Sequence, residues 1–86
     1  MVTIELFGVP RLRAGREAVT VEAACLGEAM AALGVACPSL APSVVDGERL
    51  SPFYLVAVNG IHLTADAAHP LRDGDVVVLL AADAGG

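Results

Sequence analysis

The first hydrophobic and polar positions of the chain alternate. In "VTIELF", Val2, Ile4 and Leu6 fall on one side and Thr3, Glu5 and Phe7 on the other. A period of two belongs to a strand with one buried face. "GVPRLRAGRE" breaks the alternation with Gly8, Pro10 and Gly15, and reads as a loop or wide hairpin connection. "AVTVEA" resumes it through Val19 and Val21, so the two amino-terminal strands are expected to pair as a hairpin. In "LGEAMAALGVAC" the period changes. Leu26, Met30, Leu33 and Cys37, with Ala29 and Ala36 between them, form one stripe of a helix that should pack on the sheet. Glu28 falls in the first turn, where a negative charge suits the helix dipole. Cys25 takes the N-cap position in place of a better cap such as Ser, Thr or Asp. Gly34 and Pro38 are expected to close the helix.

The second half begins with a long connection, "PSLAPSVVDGERLSP", with a short helical turn expected around Leu40–Val45 and a reversal at Asp46-Gly47. "FYLVAVNG" is the most strand-like stretch and ends at an Asn59-Gly60 turn, and "IHLT" supplies a short strand after it. Asp73-Gly74-Asp75 leads into "VVVLL", whose unbroken apolar run predicts a strand in the middle of the sheet. The fold class is α+β: a mixed sheet of four to five strands with one main helix across one face, as in a β-grasp. Residues 1–80 make the domain and 81–86 a flexible tail.

Charge changes the list of partners. The net charge is −5, and the cations are Arg11, Arg13, Arg16, Arg49 and Arg72, with no lysine. Scattered arginines on an acidic chain make no basic stripe for phosphate backbones, so nucleic acid is not expected as a partner. A protein with a basic docking surface suits this chain better. Gly34, Pro38, Ser39, Pro42 and Ser43 interrupt the one long uncharged stretch, which argues against a membrane span. The alternating start offers no leader, and a cytoplasmic location is expected.

No ordinary active site emerges. Cys25 and Cys37 are too few for a four-cysteine cluster and read as small hydrophobes. His62 and His69 lie in or beside predicted turns, with no carboxylate or cysteine spaced to fix them to a metal, and read as solvated or lightly packed. Asp73 and Asp75 flank a glycine and read as turn formers rather than as an acid–base pair. Phosphate loop, nucleophile elbow and cysteine–histidine pairing are all missing.

That leaves the close of the sequence, "LLAADAGG". After Leu80 come Ala81, Ala82, Asp83, Ala84, Gly85 and Gly86, none of them bulky. Extended, these residues reach roughly 20 Å from the sheet. Such a peptide can thread a narrow channel and bring a free carboxylate to a partner's active site. A carboxylate attacks the α-phosphate of ATP, and the acyl-adenylate so formed is open to a sulfur nucleophile. Beside this tail, Phe7, Leu55, Ala57, Val76, Val78 and Leu80 should share the sheet face away from the helix, an apolar patch suited to docking. Arg11, Arg13 and Arg72 are expected to be solvated.

"VTIELFG", "RLRAG", "VTVEA", "LGEAMAAL", "LVAVNG" and "HPLRDGDVVVLLAADAGG", in that order, cover the chain nearly end to end. The ordered set resembles the ubiquitin-like sulfur carriers of the MoaD/ThiS family, and within it most closely the small subunits of molybdopterin synthase. The resemblance implies that Gly86, preceded by Gly85, is adenylated by an E1-like adenylyltransferase using ATP and converted to a thiocarboxylate with a sulfur donor. It implies a carrier without a bound cofactor, not an enzyme. A large molybdopterin-synthase-type subunit, or another sulfur-accepting enzyme, would supply the catalytic side chains. Phe7, Leu55, Val78, Leu80, Ala81, Ala82, Asp83 and Ala84 would form the contact with it. Thiamin, cysteine or a specialised metabolite as the sulfur's destination, transfer of the tail to proteins as a modifier, and a plain interaction module remain open alternatives.

Overall fold

The computed structural model describes residues 1–82. Its elements are β1 (Val2–Leu6), α1 (Gly8–Ala14), β2 (Ala18–Val21), α2 (Leu26–Ala36), a 3-10 turn (Pro38–Leu40), β3 (Val45–Asp46), β4 (Arg49–Leu50), β5 (Tyr54–Val58), β6 (His62–Thr64) and β7 (Val76–Ala81). Five strands form one sheet in the order β2-β1-β7-β5-β6, with β1 and β7 parallel and every other pairing antiparallel. Helix α2 crosses one face. This is the β-grasp architecture expected from the pattern, with the apolar strand β7 in the interior of the sheet.

The alternation in β1 resolves as read: Val2, Ile4 and Leu6 are buried, whereas Thr3 and Glu5 are half-buried on the other face. Register with β2 and β7 puts Val19, Val21, Val77 and Leu79 on the buried side. Leu26, Ala29, Met30 and Leu33 of α2 close over them, followed by Cys37. Each fully buried large side chain contributes about 1.5–3 kcal/mol. Ala36 departs from the expected stripe: it ends the helix at the stripe's edge and is exposed.

Other expectations need correction. Helix α2 runs through Gly34 and stops at Ala36; Pro38 opens the 3-10 turn instead of terminating α2 by itself. The helical turn expected around Leu40–Val45 is displaced to Pro38–Leu40, and Val45 already belongs to a two-strand hairpin that reverses at Asp46-Gly47. Leu40, Val44 and Val45 are buried, so this connection completes the core beside α2. "GVPRLRA" is a helix, not a loop. Pro10 in its first turn needs no amide partner, and Gly15 ends it in the left-handed conformation, donating its N–H to the Arg11 carbonyl. No helical period shows in the sequence here because Pro10 is the one fully buried residue of α1, while Leu12 is 82% exposed. Arg11, Arg13 and Arg72 are exposed as expected, and two of them also make side-chain contacts: Arg13 donates to Ser43 Oγ at 2.6 Å, and Arg11 pairs with Glu17. Ser39 Oγ in turn donates to the Arg13 carbonyl at 2.7 Å, fastening α1 to the 38–43 segment.

The amino end of α2 is capped from outside. Cys25 is extended and makes no side-chain cap bond. Instead the Leu26 and Gly27 amides donate to the His69 and Ala67 carbonyls at 2.9 and 2.8 Å, and Glu28 accepts from the Ala24 amide. The 65–70 loop lies so close that a Cβ on Gly27 would come within 3.2 Å of Ala67. At the start of β7, Asn59 adopts φ 54° and uses both ends of its amide: Nδ2 donates to Asp75, and Oδ1 accepts from the Val76 N–H. Asp75 also accepts from the Arg72 amide. Its neighbour Asp73 pairs with the amino terminus. Both aspartates thus act as turn residues.

These end contacts set two stability outcomes. Cys25→Ser places a hydroxyl where the Glu28 amide can reach it and should raise the unfolding free energy by about 0.5–1 kcal/mol. An unchanged urea midpoint would mean that the loop carbonyls already satisfy this end. The Asp75 carboxyl is held below the usual carboxylate range, first by the Arg72 amide and then by the Asn59 amide. Its ionised form is therefore favoured by folding, and this contribution is present above the unfolded-state value of about 3.9 and lost as pH falls through the lower folded value. Urea midpoints of wild type and Asp75→Asn measured against pH should differ by a constant amount near neutrality and converge in acid.

Candidate functional site

Strand register assembles the outward face from separate parts of the chain. Leu55 lies opposite Leu80 and Ala57 opposite Val78 across β5 and β7. Val78 pairs on its other edge with Glu5, Val76 pairs with Thr3, and Leu63 stands opposite Ala57 on the outer strand β6. Leu55, Val76, Val78 and Leu80 are half-buried, and Leu63 is 69% exposed. An apolar band therefore crosses the face that α2 leaves open. Glu5 places a negative charge beside Val78 at the edge of this band, so a partner with a basic group opposite it would match the band in both polarity and charge.

The band ends in a cleft. β1 stops pairing with β7 at Leu6↔Leu79, and the chain turns away into α1. Leu80 and Ala81 thus keep β5 on one side and lose their neighbour on the other. The gap is an apolar cleft of about 210 Å³ lined by Phe7, Val9, Pro10, Tyr54, Leu80 and Ala81. Phe7 is 48% exposed and Phe53, the residue before β5, 76%. Ala81 belongs to β7, one residue beyond the boundary expected at Leu80, and the Ala82 amide donates to the Phe53 carbonyl at 2.7 Å. The chain is therefore held to the sheet as far as Ala82. Asp83, Ala84, Gly85 and Gly86 lie outside the described residues.

Of the residues singled out in the sequence, the structure brings Phe7, Leu80 and Ala81 to one cleft and sets Leu55, Ala57 and Val78 on the adjoining band. Sequence reasoning missed Val9, Pro10, Tyr54 and Leu63. The first two fall where the glycines and proline predict a loop, although a parallel β1–β7 pair necessarily sets the segment after β1 beside the segment after β7. His62 is in strand β6, as the "IHLT" pattern predicts, beside the Asn59-Gly60 turn, and sits at the far end of the sheet with His69.

The family model for ThiS matches residues 4–86. The chain belongs to the ThiS family. This is a family of ThiS/MoaD-type ubiquitin-like sulfur carriers and modifiers. SAMP1 from Haloferax volcanii is 29% identical, with 99% of this chain and 98% of that one covered at a TM-score of 0.81. Subunit 1 of the molybdopterin-converting factor, in a complex with subunit 2 from Helicobacter pylori, gives 27% identity, coverage of 99% and 97%, and a TM-score of 0.64. The BexX/CysO complex of Amycolatopsis orientalis shares the fold at 24% identity, full coverage of both chains and a TM-score of 0.81. No curated protein matches. These ThiS-type relatives include a modifier protein and a molybdopterin-converting factor subunit, so family membership alone leaves the pathway open. No helix among the described residues is long and apolar enough to cross a membrane.

If the band and cleft receive a partner, Phe7→Ala and Leu80→Asp should each weaken binding to it by about tenfold, or 1.4 kcal/mol. Calorimetric titration measures this, with circular dichroism confirming the fold. Unchanged affinity in both variants would place docking elsewhere.

Proposed function

We propose that this ThiS-family chain carries sulfur on its last residue, as a thiocarboxylate of Gly86, and delivers it in molybdopterin biosynthesis. The observation that carries the reading is the family match, which continues through the diglycine to residue 86, and the strand that leads toward it ends at an apolar cleft. The chemistry asks little of the carrier's own side chains. A Gly86 carboxylate oxygen attacks the α-phosphate of ATP on an E1-like adenylyltransferase, and pyrophosphate leaves. A sulfide-level donor then attacks the acyl carbon of the adenylate and expels AMP, leaving sulfur in place of one oxygen. A large synthase-type subunit takes up the tail and supplies the groups that move sulfur to the precursor. Small residues from Ala81 onward let the peptide enter a narrow channel, and glycine at the end lets backbone approach closely. The carrier is a co-substrate, and Cys25 and Cys37 take no part.

The similarity to SAMP1, a small archaeal modifier protein, favours a second reading in which the same activated Gly86 acylates lysines of other proteins. In that case no polymer linked through lysine can form on this chain, because it contains none. Sulfur delivery to thiamin, cysteine or a specialised metabolite would use the same activation and differ only in the accepting enzyme.

Intact-mass measurement after incubation with the cognate adenylating enzyme, ATP and a sulfide donor should show one oxygen replaced by sulfur. Deletion of Gly86, or one residue added after it, should abolish the exchange while leaving the thermal midpoint unchanged. Absence of the exchange in the wild-type chain overturns the carrier reading, and isopeptide-linked adducts in place of small-molecule transfer support the modifier reading.

A further inference from the structure

The end of the sheet opposite the tail holds a cleft of about 390 Å³ with a mixed polar and apolar lining that includes Asn59, His62, His69, Arg72 and Asp75. His62 stands on β6 and His69 on the loop whose carbonyls cap α2, yet their rings meet with centroids 5.9 Å apart and planes inclined at 48°. No side-chain hydrogen bond among the described residues uses either imidazole. Neither ring is thus engaged by a described side chain. The geometry points to a two-imidazole site for a divalent transition metal ion (Cu²⁺, Ni²⁺ or Zn²⁺), bridging His62 and His69 and completed by water.

Distance decides whether the rings can share an ion. With a metal–nitrogen bond of about 2.0–2.1 Å, two ligating rings have centroids about 5.2 Å apart at the tetrahedral angle of Zn²⁺ and about 4.5 Å apart at the right angle that Cu²⁺ and Ni²⁺ prefer. The observed 5.9 Å needs a closure of about 0.7 Å for Zn²⁺ and about 1.4 Å for Cu²⁺ or Ni²⁺, which a change of rotamer by His62 on its exposed strand would supply. Charge in the cleft is mixed. The Asp75 carboxylate favours a cation but is already engaged by the Arg72 and Asn59 amides, and the Arg72 guanidinium opposes it. No group of three or more His, Cys, Asp or Glu among the described residues is placed to hold an ion. The site is thus an open one with two protein ligands, and imidazole selects Cu²⁺, Ni²⁺ and Zn²⁺ over Mg²⁺ or Ca²⁺. An ion held there would fasten β6 to the 65–70 loop, and through that loop to the amino end of α2, far from the tail. The inference does not rest on the sulfur-carrier reading.

Ni²⁺ titrated into the untagged full chain by calorimetry tests the site. A Cys25→Ser background keeps the half-exposed thiol from taking the metal. The expected result is one ion per chain, loss of the His62 and His69 ring proton signals to paramagnetic broadening, and a thermal midpoint that rises with Ni²⁺ concentration. Removing an outer-shell partner already costs about 10–100-fold in metal affinity, so loss of a ligand in His62→Ala should cost about tenfold or more and abolish the midpoint shift. His69→Ala should do the same, while His62→Ala alone decides the matter if that variant does not fold. Undiminished binding by His62→Ala, or no binding by the parent chain, overturns the proposal.

Discussion

Strand β7 can do its work only because it is held on both edges, by β1 in parallel and by β5 antiparallel. An interior strand of a sheet covered by one helix has one face in the core and the other in water. Val77 and Leu79 meet that condition on the core side. Val76, Val78 and Leu80 do not meet it on the other side, and they keep apolar surface there that the described residues leave partly open. Because the same strand leads directly into the tail, the open apolar band and the root of the tail are fixed to one rigid element. A partner that docks on the band therefore meets Ala81 and Ala82 at a set distance.

The two ends of the sheet are finished differently. At the start of β7, backbone and amide groups close the fold: Asn59 with Asp75 and Val76, the amino terminus with Asp73, and the 65–70 loop with α2. The loop that caps α2 also brings His69 to His62. At the finish of β7 the pairing strand β1 stops short, and the space is lined by Phe7, Val9, Pro10, Tyr54 and Leu80. One end is tied with hydrogen bonds and the other left apolar and open, which gives the molecule a direction.

Long periodic segments are legible in the sequence because burial imposes their period. The spacing of Val, Ile and Leu predicts β1, β2, α2 and β7, and all four are present. Helix α1 and the β3–β4 hairpin are not legible in this way, because neither buries a full stripe: α1 buries Pro10, and the hairpin buries Val45 but exposes Asp46 and Arg49. Their signals are punctuation (Pro10, Gly15, Asp46-Gly47), which marks a turn without saying what it joins. The β-strand residues of the candidate site are legible by simple alternation, which puts Leu55, Val78 and Leu80 on a common face. Val9, Pro10 and Tyr54 need the parallel register of β1 and β7, a non-local fact that no window of sequence contains.

The sequence alone determined the class of the fold, the central place of "VVVLL" and the diglycine at Gly85-Gly86, since these depend on local period and on chemistry carried by single residues. Tertiary structure decided which segments became neighbours. It set the end of β1 beside the end of β7 to open a cleft at the root of the tail. It backed a poor N-cap at Cys25 with carbonyls from a loop far downstream, and it joined two histidines from different elements. The physical reason is the same in each case: a strand's period is written along the chain, whereas register and loop closure are set by hydrogen bonds and packing between segments far apart in sequence.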